Sequence, residues 1–400
     1  MTRLWDKGAP LDERVLQYTA GEDHALDERL VPYDARASIA HAQMLHAQGL
    51  LSAEDCEAIE TGLEALIASH AKGEWRIELA DEDGQTALEK RLTALIGAAG
   101  GRVHLGRSRN DQVLTALRLY LRDATEQLAE GAEAVALALS RLADREGDLE
   151  LPGYTHMQQA MPSSVALWAG GFAAELRDDA AGLRAVQRRI GKNPLGSAAG
   201  YGTPGLPLDR DATTRALDFD SVHEPVTAVQ LSRGKAEAQL LFEVALLMQD
   251  LGRFAADVCL YYTQEFAFLE LPDEFTTGSS IMPQKRNPDV FELLRGRTAT
   301  AHGCLVEALG IFAKLPSGYQ RDLQLLKLPL FRGIDLAIAS TAILPPAIEA
   351  MRFKRANIQL DPSIHAAERA NQLVVDEGIP FREAYRRIGA ELRANKVNEE

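Results

Sequence analysis

The sequence predicts an all-α protein organised around a bundle of long helices, with a smaller helical region on each flank. Leu240, Val244, Leu247, Leu251, Phe254, Val258 and Tyr261 recur in steps of four and three, which lays one continuous apolar seam along a helix. Leu114, Leu117, Leu121, Ala124, Leu128, Val135 and Leu142 trace a similar stripe through 111–146. Runs that alternate apolar and polar residues with the period of a strand are scarce.

Taken in order, residues 34–70 and 85–97 carry shorter helical patterns and define an N-terminal domain over 1–102. Segments 163–190, 289–314 and 333–351 join the two striped segments as long helices, and short Gly/Pro-marked loops connect them. Such helices form a bundle, placed over 103–356. A short helical tail, 361–394, begins near Asp361-Pro362 and sets the last domain at 357–400. The central seams are more apolar than a lone chain needs, which suggests bundle packing on bundle. On periodicity alone, a core within one chain is the stronger reading.

Forty-three Lys and Arg stand against 58 Asp and Glu, a net charge of -15 that opposes nonspecific binding to nucleic acid or to anionic membranes. A dianionic substrate would need a local basic pocket, which Arg107/Arg109 and Lys285/Arg286 can supply. Cys56, Cys259 and Cys304 are far apart, and neither Cys-x-x-Cys nor His-Glu-x-x-His occurs, so a disulfide framework and the common zinc motifs are excluded. The N-terminus is charged, and no apolar run is read as long enough to span a membrane, so the expectation is a soluble, cytoplasmic protein. Gly200-Tyr-Gly-Thr-Pro-Gly205 fits the Gly-x-Gly-x-x-Gly fingerprint. No strand pattern precedes it, and Pro204 and Pro207 oppose the helix a pyrophosphate requires, so it reads as a loop and no cofactor is expected.

The most informative string is 278–289, Gly-Ser-Ser-Ile-Met-Pro-Gln-Lys-Arg-Asn-Pro-Asp. It describes a loop that can close on an anion and start a helix behind it. Its fragments alone are ordinary turn material; the whole resembles the signature loop of the fumarase/aspartase superfamily, whose members release fumarate from a succinyl unit. Gly106-Arg-Ser-Arg-Asn-Asp-Gln-Val113, Pro152-Gly-Tyr-Thr-His-Met-Gln158, Pro194-Leu-Gly-Ser197 and Asp209-Arg210 resemble loops of the argininosuccinate lyases within it. Tyr319, Gln324 and Lys327 match the spacing of that family's substrate-binding Tyr, Gln and Lys. The resemblance runs from about Trp5 to about Arg387.

It implies a fumarase/aspartase-like fold, a homotetramer whose central helices share a core, sites built from three subunits, and cofactor-independent elimination of fumarate from argininosuccinate. Removing a proton beside a carboxylate adds charge to an anion, so the site must be cationic and rich in donors. Lys285 is the candidate to stabilise that charge. On residue chemistry alone His156 is the first choice of base, because a free imidazole ordinarily titrates near neutrality. The resemblance instead gives that role to Ser279, leaving Thr155 to bind substrate and His156 to act as general acid or proton relay. Glu292 either pairs with His156 or complements a helix dipole. Asn287 either binds a carboxylate or serves the turn before Pro288. Ser108, Arg109 and Asn110 would hold the fumarate half, unless Arg107 and Arg109 are surface charges. Tyr319, Gln324 and Lys327 would hold the arginine half, with Lys327 at its α-carboxylate.

Three departures stand out. Gln85, within 81–89, replaces a histidine common in the family; 18–27 around Gly21 differs; and the tail after Asp361 is short. The first two bear on the carboxylate-binding loops and on substrate identity, the short tail on oligomer stability and site closure. The alternatives are a lyase for another N-substituted aspartate, acylated argininosuccinate or adenylosuccinate-like, and a noncatalytic crystallin-like homologue.

Overall fold

The structure, a computed structural model, describes residues 12–399; Trp5, where the resemblance begins, lies outside the described residues. Among the described residues five helices of more than twenty residues dominate: Arg109–Glu146, Val165–Ala185, Lys235–Tyr261, Asp289–Phe312 and Lys327–Ala350. The last starts six residues before the expected 333, so Lys327 sits in its first turn.

Both predicted seams are buried within the chain, from Leu114 to Leu142 and from Leu240 to Tyr261. Full burial of each Leu or Val is worth about 1.5–3 kcal/mol, so the seams are a main source of cohesion. The suggestion that they serve assembly is therefore corrected, because the chain itself covers them. The apolar side chains left exposed are on other faces: Phe242 and Leu246 on Lys235–Tyr261, and Leu293, Val306 and Leu309 on Asp289–Phe312.

The chain packs as two compact units, each drawn from three separated segments. One comprises the segment ending at Ala129 together with Ala181–Ala245 and Ala299–Ala337; the other comprises Glu130–Ala180, Leu246–Thr298 and the segment from Ile338. In the first, Val31–Ala47, Ala53–Ala71 and Gly84–Ile96 enclose Leu45, Ile59, Leu63, Leu88 and Leu92. Ser52 and Asp83 cap the second and third of these helices by accepting from Asp55 N and Thr86 N. In the second unit, Ala366–Glu377 and Phe381–Glu399 pack through Ala370, Ala384 and Ile388.

The second unit also contains an antiparallel hairpin, Glu150–Thr155 with Gln158–Ser164, which the periodicity did not announce. Pro152, Gly153 and Pro162, with mostly polar neighbours, erase the alternation that marks a strand. In the first unit a two-residue strand, Lys192–Asn193, pairs in parallel with Ser221–Val222 ahead of the Gly200–Gly205 loop. That loop turns through positive φ at Gly200, Gly202 and Gly205, and the next helix starts only at Arg210. It offers no helix N-terminus where a dinucleotide would need one. Against the sequence reading, Arg321–Ala350 has the length and apolarity of a membrane span, but half of its most apolar window is buried inside the protein, as in a core helix.

Gly234 opens the turn into Lys235–Tyr261 with φ +83°, and a Cβ there would lie 2.4 Å from the Phe312 ring. Gly234→Ala meets both backbone strain and overlap, and is expected to cost about 2–4 kcal/mol. The check is the urea midpoint; an unchanged midpoint would show that this close approach does not hold the first unit together.

Candidate active site

In the first unit, the Gly106–Asn110 loop ends at the N-terminus of Arg109–Glu146 and is held from below by Asp111. Asp111 Oδ1 accepts from Ser108 N (3.0 Å), and Oδ2 accepts from Gly196 N (3.0 Å) and Ala198 N (2.8 Å). Burial pushes the Asp111 carboxyl up to about 6, against the pull of these amides and of Arg107. Ser108 Oγ accepts from Asn110 N (3.3 Å). One carboxylate thus ties the predicted anion loop to the Pro194–Ser197 segment.

The two arginines of this loop separate in role. Arg107 is buried and donates to Ser38 Oγ (2.7 Å), so it belongs to the core. Arg109 is part-exposed, and its Nη1 donates to Asp83 Oδ2 (2.8 Å) and Glu82 Oε2 (3.4 Å). This fixes one corner of the guanidinium. Among the described residues Nε and Nη2 have no hydrogen-bond partner, which leaves an edge suited to a carboxylate. The stretch 81–89, a departure in sequence, therefore supplies the anchor of Arg109, while Gln85 is buried.

The segment carrying Tyr319, Gln324 and Lys327 is braced at several points. Gly318, at φ +84°, packs under Tyr201, whose hydroxyl would lie 3.0 Å from an added Cβ. Arg321–Leu326 forms a 3-10 turn, and Arg321 Nη2 donates to Thr19 O (2.7 Å). Lys327 is 1% exposed, with Nζ 2.6 Å from Asp27 Oδ1 and 3.1 Å from Asp23 Oδ1. Burial opposes its charge, but the two carboxylates outweigh burial and hold Lys327 above its ordinary pKa. Burial pushes Asp23 up to about 6, opposed by Lys327 and reinforced by Asp27. An ammonium so engaged is not free to meet a substrate carboxylate directly, the part expected of Lys327. A cavity of about 510 Å³ opens beside it, lined by Thr19, Gly21, Asp23, Arg321 and Gln324 among others. Asp23 was not singled out from sequence. Its only trace there is the helical i,i+4 spacing to Asp27.

In the second unit, His156 and Met157 form the two-residue turn of the hairpin, with φ of 51° and 62°. Left-handed backbone at both positions is ordinarily taken by Asn-Gly, and for these residues costs about 1–3 kcal/mol each. The strain presents Thr155 and His156 to solvent. A cavity of about 390 Å³ lies alongside, lined by Tyr154, His156, Trp168, Asp257 and Tyr261 among others.

The 278–288 loop is closed at its base by paired backbone hydrogen bonds, Thr277 N to Asn287 O (3.0 Å) and Asn287 N to Thr277 O (2.8 Å). Asn287 Nδ2 donates to Thr277 Oγ1 and Gly278 O, both at 3.4 Å, so its amide serves the turn. Ser279 Oγ accepts from Met282 N (3.2 Å) and Ile281 N (3.4 Å), two donors aimed where an alkoxide would carry charge. Lys285 is exposed on the same loop, and Glu292 is exposed in the first turn of Asp289–Phe312, suited to its dipole. Among the described residues of one chain, no hydrogen bond or ion pair joins Glu292 to His156, or the hairpin tip to the loop. Ser108, Arg109, Asn110, Tyr319, Gln324 and Lys327 fall in one unit; Thr155, His156, Ser279, Lys285, Asn287 and Glu292 fall in the other.

Comparison with known proteins identifies the family and the fold. The pattern of a protein family described as lyase matches residues 11–303. The argininosuccinate lyase of Sorangium cellulosum is 49% identical over 394 residues, covering 98% of this chain and 91% of its own. That of Thermotoga neapolitana is 38% identical, covering 98% and 99%. A crystal structure of EDDS lyase in complex with formate superposes with TM-score 0.83 at 26% identity, covering 98% of this chain and 78% of that one. A class II fumarase from Schistosoma mansoni shares the fold, with TM-score 0.75 at 19% identity and coverage of 95% and 93%.

Asp111→Asn would turn a donor toward amides that themselves donate, and is expected to cost about 2–3 kcal/mol. The readout is hydrogen exchange at Ser108, Gly196 and Ala198, which should accelerate together. Unchanged exchange at all three would show that Asp111 does not hold the loop.

Proposed function

Because the chain belongs to the argininosuccinate lyase family, we propose that it cleaves argininosuccinate to fumarate and arginine with Ser279 as general base. The observation that carries this reading is Ser279 Oγ under two backbone amides in a loop that also bears Lys285. A hydroxyl as weakly acidic as water needs roughly 12 kcal/mol to ionise near neutral pH. Two amides on a charged acceptor supply about 3–6 kcal/mol. The remainder is assigned to the ammonium of Lys285 when the loop closes on substrate.

The base takes the proton from the succinyl carbon next to a carboxylate, and the electron pair spreads into that carboxylate. Lys285 stabilises the added charge, while the free edge of Arg109, with Ser108 and Asn110, holds the fumarate half. Collapse forms the carbon–carbon double bond and expels the guanidino nitrogen, which His156 protonates; Thr155 orients the substrate there. At the other end, Asp23 receives the α-ammonium of the arginine half, with Tyr319 and Gln324 beside it. Lys327 acts here by holding Asp23.

We further propose a homotetramer in which each site draws on more than one subunit. Two features support it: among the described residues of the second unit no hydrogen bond or ion pair joins the hairpin tip bearing His156 to the loop bearing Ser279, and Phe242, Leu246, Leu293, Val306 and Leu309 remain exposed. A single reading of another N-substituted aspartate stays in competition, because the departing stretch around Gly21 lines the first cavity.

The purified protein is expected to release fumarate from argininosuccinate, followed by ultraviolet absorbance; no release would refute the substrate. Ser279→Ala should lower kcat by about 10²–10⁴ with KM little changed, because a base acts in the transition state. Near-normal turnover in that variant would remove Ser279 from the role.

A further inference from the structure

We infer that Arg233 is a positioning residue for the arginine end of the substrate, acting through Tyr319 and the backbone at Leu323; this rests on the function proposed above. Arg233 is 3% exposed. Its guanidinium carbon lies 5.7 Å from the centroid of the Tyr319 ring, and its Nη2 donates to Leu323 O (3.3 Å). These contacts fall at the start of the segment and immediately before Gln324. Asp23 and Asp27 fix the far end at Lys327.

Fold stability does not account for an arginine at this place. Among the described residues its Nε and Nη1 have no hydrogen-bond partner. Nearby in sequence, and again among the described residues, buried Glu237 has neither carboxylate oxygen hydrogen-bonded, and the amide of buried Gln230 is unmatched as well. A buried guanidinium with two unpaired nitrogens carries a desolvation penalty that an apolar side chain of similar length avoids. What only the guanidinium provides is a flat cation over the phenol and a donor to the carbonyl preceding Gln324. Gly234, pressed on Phe312, fixes the backbone from which it reaches. Arg233 therefore sets where the Tyr319 hydroxyl and the Gln324 amide stand, without touching substrate.

The test uses Arg233→Met in the full-length oligomeric enzyme, with argininosuccinate turnover and product inhibition by arginine and by fumarate measured separately. KM and the arginine inhibition constant should each rise about tenfold, with kcat within about twofold and the fumarate constant unchanged. A general structural defect would move both inhibition constants, and that result, or no shift in either, would overturn the inference. If the Met variant fails to fold, Arg233→Lys keeps the charge without the planar fork and is read by the same two constants, with a shift of about threefold in arginine alone expected. A wrong substrate would be evident earlier, as a wild-type protein that releases no fumarate.

Discussion

The ammonium of Lys327, buried between Asp27 and Asp23, is the contact on which the first unit's part of the site depends. It joins the N-terminal stretch to the head of the last long helix, and Asp27 extends the link by accepting from Gly84 N (3.0 Å) at the start of another helix. Removing one partner of such a buried set typically costs about 3–5 kcal/mol, since the charge left behind has no water to turn to. Burial, opposed by Lys327 and reinforced by Asp27, also leaves Asp23 more easily protonated than an ordinary carboxylate. The carboxylate lining the cavity is thus both held and tuned by a lysine that never reaches the solvent.

The same device recurs in the loops. A buried carboxylate collects the backbone amides of the Ser108 loop, and Asp83 anchors one corner of Arg109 while capping a helix. In the second unit the backbone supplies the support instead. The His156–Met157 turn accepts left-handed strain to project its side chains, and the Thr277–Asn287 bridge closes the Ser279 loop. Long helices carry both arrangements, and the candidate groups lie at their ends and in the turns between them.

Much of this was legible in the sequence, for identifiable reasons. The seams of Leu and Val were legible because helical burial imposes a local period, and the glycine- and proline-marked loops because turn chemistry is local too. The hairpin was hidden by Pro152, Gly153 and Pro162. Lys327 was visible as a residue, yet its partners lie some 300 positions away, and only folding shows that they occupy its charge. Asp111, Asp23 and Arg233 escaped for the same reason: their roles rest on contacts distant in sequence. Glu292 and His156, linked on paper by complementary charge, are not joined within one chain.

That separation bears on the central claim, that a complete site requires more than one copy of the chain. Two inactive variants, one altered at His156 and one at Ser279, can be denatured together, refolded, and confirmed as mixed oligomers by mass. Sites shared between subunits will include some that carry neither lesion, so fumarate release should reappear in the mixture and in neither variant refolded alone. Mixed oligomers without recovered activity would contradict the account.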